Sequence, residues 1–137
     1  MSEGGEAANG ERRTGGSSRR VQSYEDLEAW QLAVVLAESV YRATEDLPPE
    51  ETFGLQSQMR RAAVSVPSNI AEGWGRHSRK DYVRFLRTAR GSSFELRTPV
   101  DIARRVGLLD PGVTRQLRDD ADRVGPVTYG LASALSR

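Results

Sequence analysis

The stretch "RRAAVSVPSNIAEGWGRHSRKDY", Arg60 to Tyr82, decides how the rest of the chain is read. Ala62, Ala63, Val66 and Ile70 recur in it at three- and four-residue spacing, the stripe of an amphipathic helix. Leu55 and Met59 carry the stripe upstream, so the spacing predicts a helix from about Thr52 to Trp74. Pro67 cuts across that pattern, because proline lacks an N–H and its ring crowds the carbonyl of Ala63. Gly73 and Gly75 then read as the stop. Ser78, with Asp81 three residues on, resembles the capping box that starts the next helix. A helix end, a tight turn and a helix start within so few residues point to helices packed side by side.

Upstream, "SYED" at Ser23 is a second capping-box-like start. Leu27, Trp30, Val34, Ala37 and Tyr41 follow at helical spacing, and Pro48-Pro49 ends the pattern, predicting a first helix from Tyr24 to about Asp46. Downstream, Tyr82, Leu86, Ala89, Ser93, Leu96, Val100 and Ala103 define one face of a third helix that stops near Gly107. "DPG" supplies Asp110 as N-cap and Pro111 at the first helical position of a fourth. Its stripe is Val113, Leu117, Ala121, Val124 and Leu131, with Gly125-Pro126 read as an interruption. No alternating run of β-branched residues argues for a strand. The expected fold is all-α, an antiparallel up-and-down four-helix bundle over residues 23–137. Residues 1–22, "MSEGGEAANGERRTGGSSRRVQ", read as a disordered Gly/Ser/Arg-rich tail with almost nothing to bury.

The chain has no cysteine and one histidine, His77, which excludes disulfides, thiolate catalysis and a single-chain histidine metal cluster. No apolar run approaches the roughly 18 residues of a membrane span, and no apolar segment follows the first charges, so no secretory signal is expected. A cytoplasmic protein without membrane contact or cofactor is the expectation. Enzyme activity is not expected: there is no Ser-His-acid set and no phosphate-cradling glycine loop.

A net charge of +1 hides a strong polarity along the chain. Between Arg60 and Arg105 eleven basic residues face four acids. On a helical wheel, Lys80, Arg84 and Arg87 gather on one flank of the third helix, with Arg79 and Arg90 bordering the core and Arg76 joining from the preceding loop. Asp81 and Glu95 are expected on the opposite flank. An ordinary solvated face mixes acids with bases at four-residue spacing, whereas here nearly all the charges are arginines, suited to forked phosphate contacts. Arg76, Arg79, Lys80, Arg84, Arg87 and Arg90 are therefore the candidate nucleic-acid contacts. Phosphate contact of this kind carries weak sequence preference, to DNA or RNA. Trp74 and Tyr82 flank this corner, where stacking on bases competes with a core role for Tyr82. Asn69 and Glu72 lack a nucleophile or second acid, so packing or subunit register is read for them, together with Pro67.

"YEDLEAWQLAVVLAESVYRAT", "FGLQSQMRRAAVSVPSNIAEGWGRHSRKDYVRFLRTARGSSFEL" and "RRVGLL" resemble a four-helix-bundle protein family. It includes proteins encoded in intervening sequences of large-subunit ribosomal RNA and the accessory variability determinant of diversity-generating retroelements. The resemblance implies assembly as a homopentamer, and in the retroelement members a basic surface for nucleic acid and a reverse transcriptase partner. It places Arg60, Arg61 and Asn69 among structural or intersubunit residues. The chain departs from the family's "ELET" at "ELRTPV", where Arg97 replaces an acid and Pro99 is expected to kink the third helix. The implied function is a non-enzymatic nucleic-acid-binding accessory protein; the alternative is an oligomeric protein-binding scaffold that touches no nucleic acid.

Overall fold

The computed structural model describes residues 20–137, so all but the last three residues of the expected tail lie outside the described part. Four helices follow in order: α1 (Glu28–Ala43), α2 (Leu55–Trp74), α3 (Arg79–Arg105) and α4 (Pro111–Ser136). Each packs on its neighbour in the chain, and α4 closes back on α1. The diagonal pairs α1–α3 and α2–α4 make no backbone contact, so the bundle is a ring of four seams. Short connections force neighbouring helices antiparallel. The start of α1, end of α2, start of α3 and end of α4 therefore share one end of the bundle.

The caps explain two of the four starts. Ser78 Oγ accepts the Asp81 N–H at 3.2 Å. Asp110 accepts the N–H groups of Gly112 at 2.8 Å and Val113 at 3.4 Å, with Pro111 at the first position. The end of α3 is equally explicit. Gly107 takes φ 81°, Leu108 N–H donates to the Ala103 carbonyl at 2.8 Å, and Gly107 N–H to that of Arg104 at 3.0 Å. That is the paired closure of a Schellman motif.

Several expectations about the helices need correction. α1 starts at Glu28, not Tyr24: Ser23 Oγ accepts from Glu25 N–H at 3.1 Å and Asp26 from Gln22 N–H at 2.9 Å, closing a separate 3₁₀ turn over Tyr24–Asp26. α2 starts at Leu55 after a second such turn, Pro49–Glu51, where Glu51 Oε1 accepts the Leu55 N–H. α4 runs unbroken through Gly125-Pro126. Pro126 is exposed, and the carbonyl it cannot bond belongs to exposed Asp122, where water replaces the missing donor. Last, the buried face of α1 is Ala29, Ala33, Leu36 and Val40. Val34 and Tyr41 are outward, because small alanines let helices approach closely while the bulky rings take the rim. Trp30 meets Tyr24 edge-on at 5.2 Å, and Tyr41 lies under the Arg60 guanidinium at 4.3 Å.

The core follows the expected stripes on α2, α3 and α4 except at Val113, which is exposed in the first turn of α4: Met59, Val66 and Ile70, then Leu86 and Leu96, then Leu117 and Val124 are fully or almost fully buried. Pro67 is buried and α2 continues through it, as α3 continues through Pro99. Gly73 does not stop α2. A Cβ there would lie 2.8 Å from Phe85 Cβ and 3.0 Å from Tyr82 Cδ1, so its role is to let α2 and α3 touch.

Polar links fix the seams. Asn69 Nδ2 donates to the Ser65 carbonyl and Oγ, and Ser65 Oγ bonds Ser92 Oγ on α3 at 2.8 Å. Arg60 Nε donates to Thr44 Oγ1 at 2.9 Å and its Nη2 to the Tyr41 carbonyl, holding the end of α1 against α2. Asp120, buried on α4, accepts from Ser39 on α1 at 2.7 Å and from Gln116 and Arg123 on its own helix. A carboxylate out of water needs such partners.

Candidate nucleic-acid interface

At the shared end of the bundle, the start of α3 and the end of α4 enclose a groove of about 780 Å³. Arg79, Lys80, Arg84, Arg87 and Arg137 line it, with Val83 and Leu135 as an apolar floor. Asp81 lines the same groove, so it is not on the opposite flank. It sits 3.6 Å from Arg84 and offsets part of the charge. Among the described residues, Arg79, Lys80 and Arg87 have no acidic partner within ion-pair distance, and all three are exposed. Cations in the first turn of a helix oppose its macrodipole, at about 0.3–1 kcal/mol each. The end of the antiparallel α4 relieves some of that, but a concentration of unpaired cations here has no stabilising account within the chain.

The remaining candidates divide. Arg76 does not line the groove; it pairs with Glu72 at 2.7 Å and lies 4.8 Å from the Phe85 ring on the α2 side. Arg84 shares that ring from 4.6 Å. Arg90 lines a second groove of about 450 Å³ with Arg87, Tyr129 and Arg137. Arg61 is exposed and donates to Ser57 Oγ at 3.1 Å, one turn back on its own helix.

Farther along α3 the arginines are spoken for. Asp101 holds Arg105 at 2.8 Å, Arg104 at 3.1 Å and Arg118 of α4 at 3.2 Å. Hydrogen bonds from Arg105 and Arg104 hold its carboxyl below the ordinary carboxylate value. Arg97 pairs with Asp122 of α4. Along α3, open positive charge is thus confined to the first half of the helix.

Trp74 and Tyr82 are partly buried and pack against the core. They meet each other edge-on at 6.4 Å. The Tyr82 hydroxyl is buried without a partner, and burial pushes the phenol up to about 12. The exposed rings beside the open cations are instead Phe94 and Tyr129, at 51% and 57% exposure. Sequence reading missed both. Their signal is an aromatic residue standing outside the apolar stripe of its own helix. Among the described residues, no helix is long and apolar enough to cross a membrane, and no group of three or more metal-binding side chains occurs.

The fold has a solved counterpart. A Bacteroides thetaiotaomicron protein with unknown function, from the S23 ribosomal protein family, superposes with a TM-score of 0.68 at 16% identity, covering 76% of this chain and 97% of its own. Comparison with curated proteins gives no match. The family described as 23S rRNA-intervening sequence protein matches residues 25–130, from the first 3₁₀ turn to the last turns of α4. This four-helix chain belongs to the 23S rRNA-intervening sequence protein family.

Proposed function

We propose that this chain is a non-enzymatic nucleic-acid-binding accessory protein that grips phosphates in the groove between the start of α3 and the end of α4. One observation carries the reading: Arg79, Lys80 and Arg87 converge on a concave surface without an acidic partner among the described residues. Phosphate contact is their natural use, because each neutralised phosphate releases a condensed counterion. The name of the family makes ribosomal RNA the first ligand to test. The resemblance to retroelement accessory proteins extends the reading to a homopentamer that partners a reverse transcriptase, which a mass of five chains in solution and co-purification would support.

The test is a salt series of binding to structured RNA and short duplex DNA, with oligomer mass followed by light scattering. About three phosphate contacts predict a slope near −3 in log affinity against log salt on duplex DNA. Arg79→Glu/Lys80→Glu/Arg87→Glu should abolish binding and keep the mass. Absence of wild-type binding at low salt rejects the reading. It would favour a protein-binding scaffold, for which Phe53, 95% exposed between α1 and α2, is the supporting observation.

A further inference from the structure

Resting on the nucleic-acid reading above, we infer that the α3–α4 seam takes its ligand as a single strand of RNA, with Tyr129 and Phe94 as stacking platforms. The two grooves are one track, since Arg87, Ser136 and Arg137 line both. Arg87 and Arg90 lie on it, and the stripe they form on α3 runs on beyond the two grooves to Phe94 and Arg97, at spacings of three, four and three. On that stripe the Arg90 guanidinium lies 5.1 Å from the Phe94 ring centre and 5.0 Å from that of Tyr129 on α4. The Arg97 guanidinium, which pairs with Asp122, lies 5.4 Å from the Phe94 ring centre. Rings and guanidinium planes therefore alternate beside a line of phosphate-binding cations.

A basic track with exposed aromatic platforms is how proteins hold single strands, because unpaired bases offer π-faces that a duplex keeps stacked inside. A duplex needs only charge, and would leave Phe94 and Tyr129 unused. RNA fits the seam for a second reason. Ser133, on the second groove, makes no hydrogen bond among the described residues, and its hydroxyl is available to a 2′-hydroxyl. Arg79 and Phe94 are fifteen residues apart, about 23 Å along the helix. At about 3.4 Å per stacked nucleotide, the track holds about seven.

The experiment is fluorescence anisotropy of the full chain with labelled oligouridine of increasing length, an RNA hairpin duplex and oligodeoxythymidine. Affinity for oligouridine should rise to about seven nucleotides and then level off, and exceed that for the hairpin stem and for oligodeoxythymidine. Tyr129→Ala and Phe94→Ala should each weaken oligouridine binding by about five- to a hundredfold, the range for one stacked base, and leave hairpin binding unchanged. Tyr129→Leu and Phe94→Leu keep apolar packing but not a flat ring, so they should show the same loss if the rings stack. Equal affinity for hairpin and oligouridine, or ring variants that bind normally, overturns the single-strand inference while the phosphate reading stands. Equal affinity for oligodeoxythymidine overturns the choice of RNA. No binding to any of the three overturns both.

Discussion

Gly73→Ala sets two known effects against each other, and the structure says which wins. Alanine is favoured over glycine inside a helix by about 1 kcal/mol, so substitution in α2 would ordinarily stabilise. At Gly73 the added Cβ would stand 2.8 Å from Phe85 Cβ, where ordinary contact begins at 3.4 Å. It would also stand 3.3 Å from the Tyr82 carbonyl oxygen. Neither atom can rotate away: one is fixed to its backbone and the other is backbone. The start of α3 must shift by more than half an ångström, and overpacking of this kind costs about 1–3 kcal/mol. The net is a loss of up to about 2 kcal/mol. Gly91, on the exposed side of α3, is the control, because a Cβ there meets nothing within 4 Å. Gly91→Ala should gain about 0.5–1 kcal/mol from propensity alone. Urea unfolding followed by far-ultraviolet circular dichroism should place the two variants on opposite sides of wild type. Should Gly73→Ala stabilise as much as Gly91→Ala, the close approach of α2 and α3 is wrong.

Other substitutions read other parts of the bundle. Tyr82→Phe removes a buried hydroxyl without a partner and should raise stability by about 1 kcal/mol in the same urea assay. In the unmodified chain Tyr82 should ionise near pH 12 in an ultraviolet absorbance titration; because its folded value is raised, its contribution to stability holds below about pH 10 and is lost as pH rises toward 12. Ser39→Ala takes one hydrogen bond from the buried Asp120 carboxylate and should cost about 2 kcal/mol by thermal unfolding. Asp101 has a lowered folded value, so its network stabilises above the ordinary carboxylate range and is lost as pH falls through it; Asp101→Asn should flatten that part of the acid-unfolding curve.

The starts of α3 and α4 and the end of α3 were legible because their signals are local and chemical. Ser78, Asp110 with Pro111, and Gly107 satisfy or permit backbone groups within a few residues. The face of α1 was not, since a stripe scored by size favours Trp30, Val34 and Tyr41, while packing selected the alanines. Gly73 shows the same limit: a glycine near a helix end reads as a stop, and only the neighbouring helix shows that it is a contact. At the candidate site the wheel found Arg79, Lys80 and Arg87 on one side of α3. It could not show that Asp81 lines the same groove, that Arg76 turns toward Glu72, or that Tyr129 on α4 meets Arg90. Those facts depend on where a second helix lies.

The ring of four seams also sets an order of events when the chain folds. Three seams join helices adjacent in sequence, so their contacts close small loops, and low contact order goes with folding in microseconds to milliseconds. The fourth, between α1 and α4, brings together residues as far apart as Ser39 and Asp120, with the largest loop-closure entropy of any seam. It forms last on that account, so weakening it accelerates unfolding and leaves the folding rate almost untouched. The persistence of the folded bundle against transient opening then rests on that closing seam, to which the Ser39–Asp120 hydrogen bond contributes alongside the apolar packing of α1 on α4.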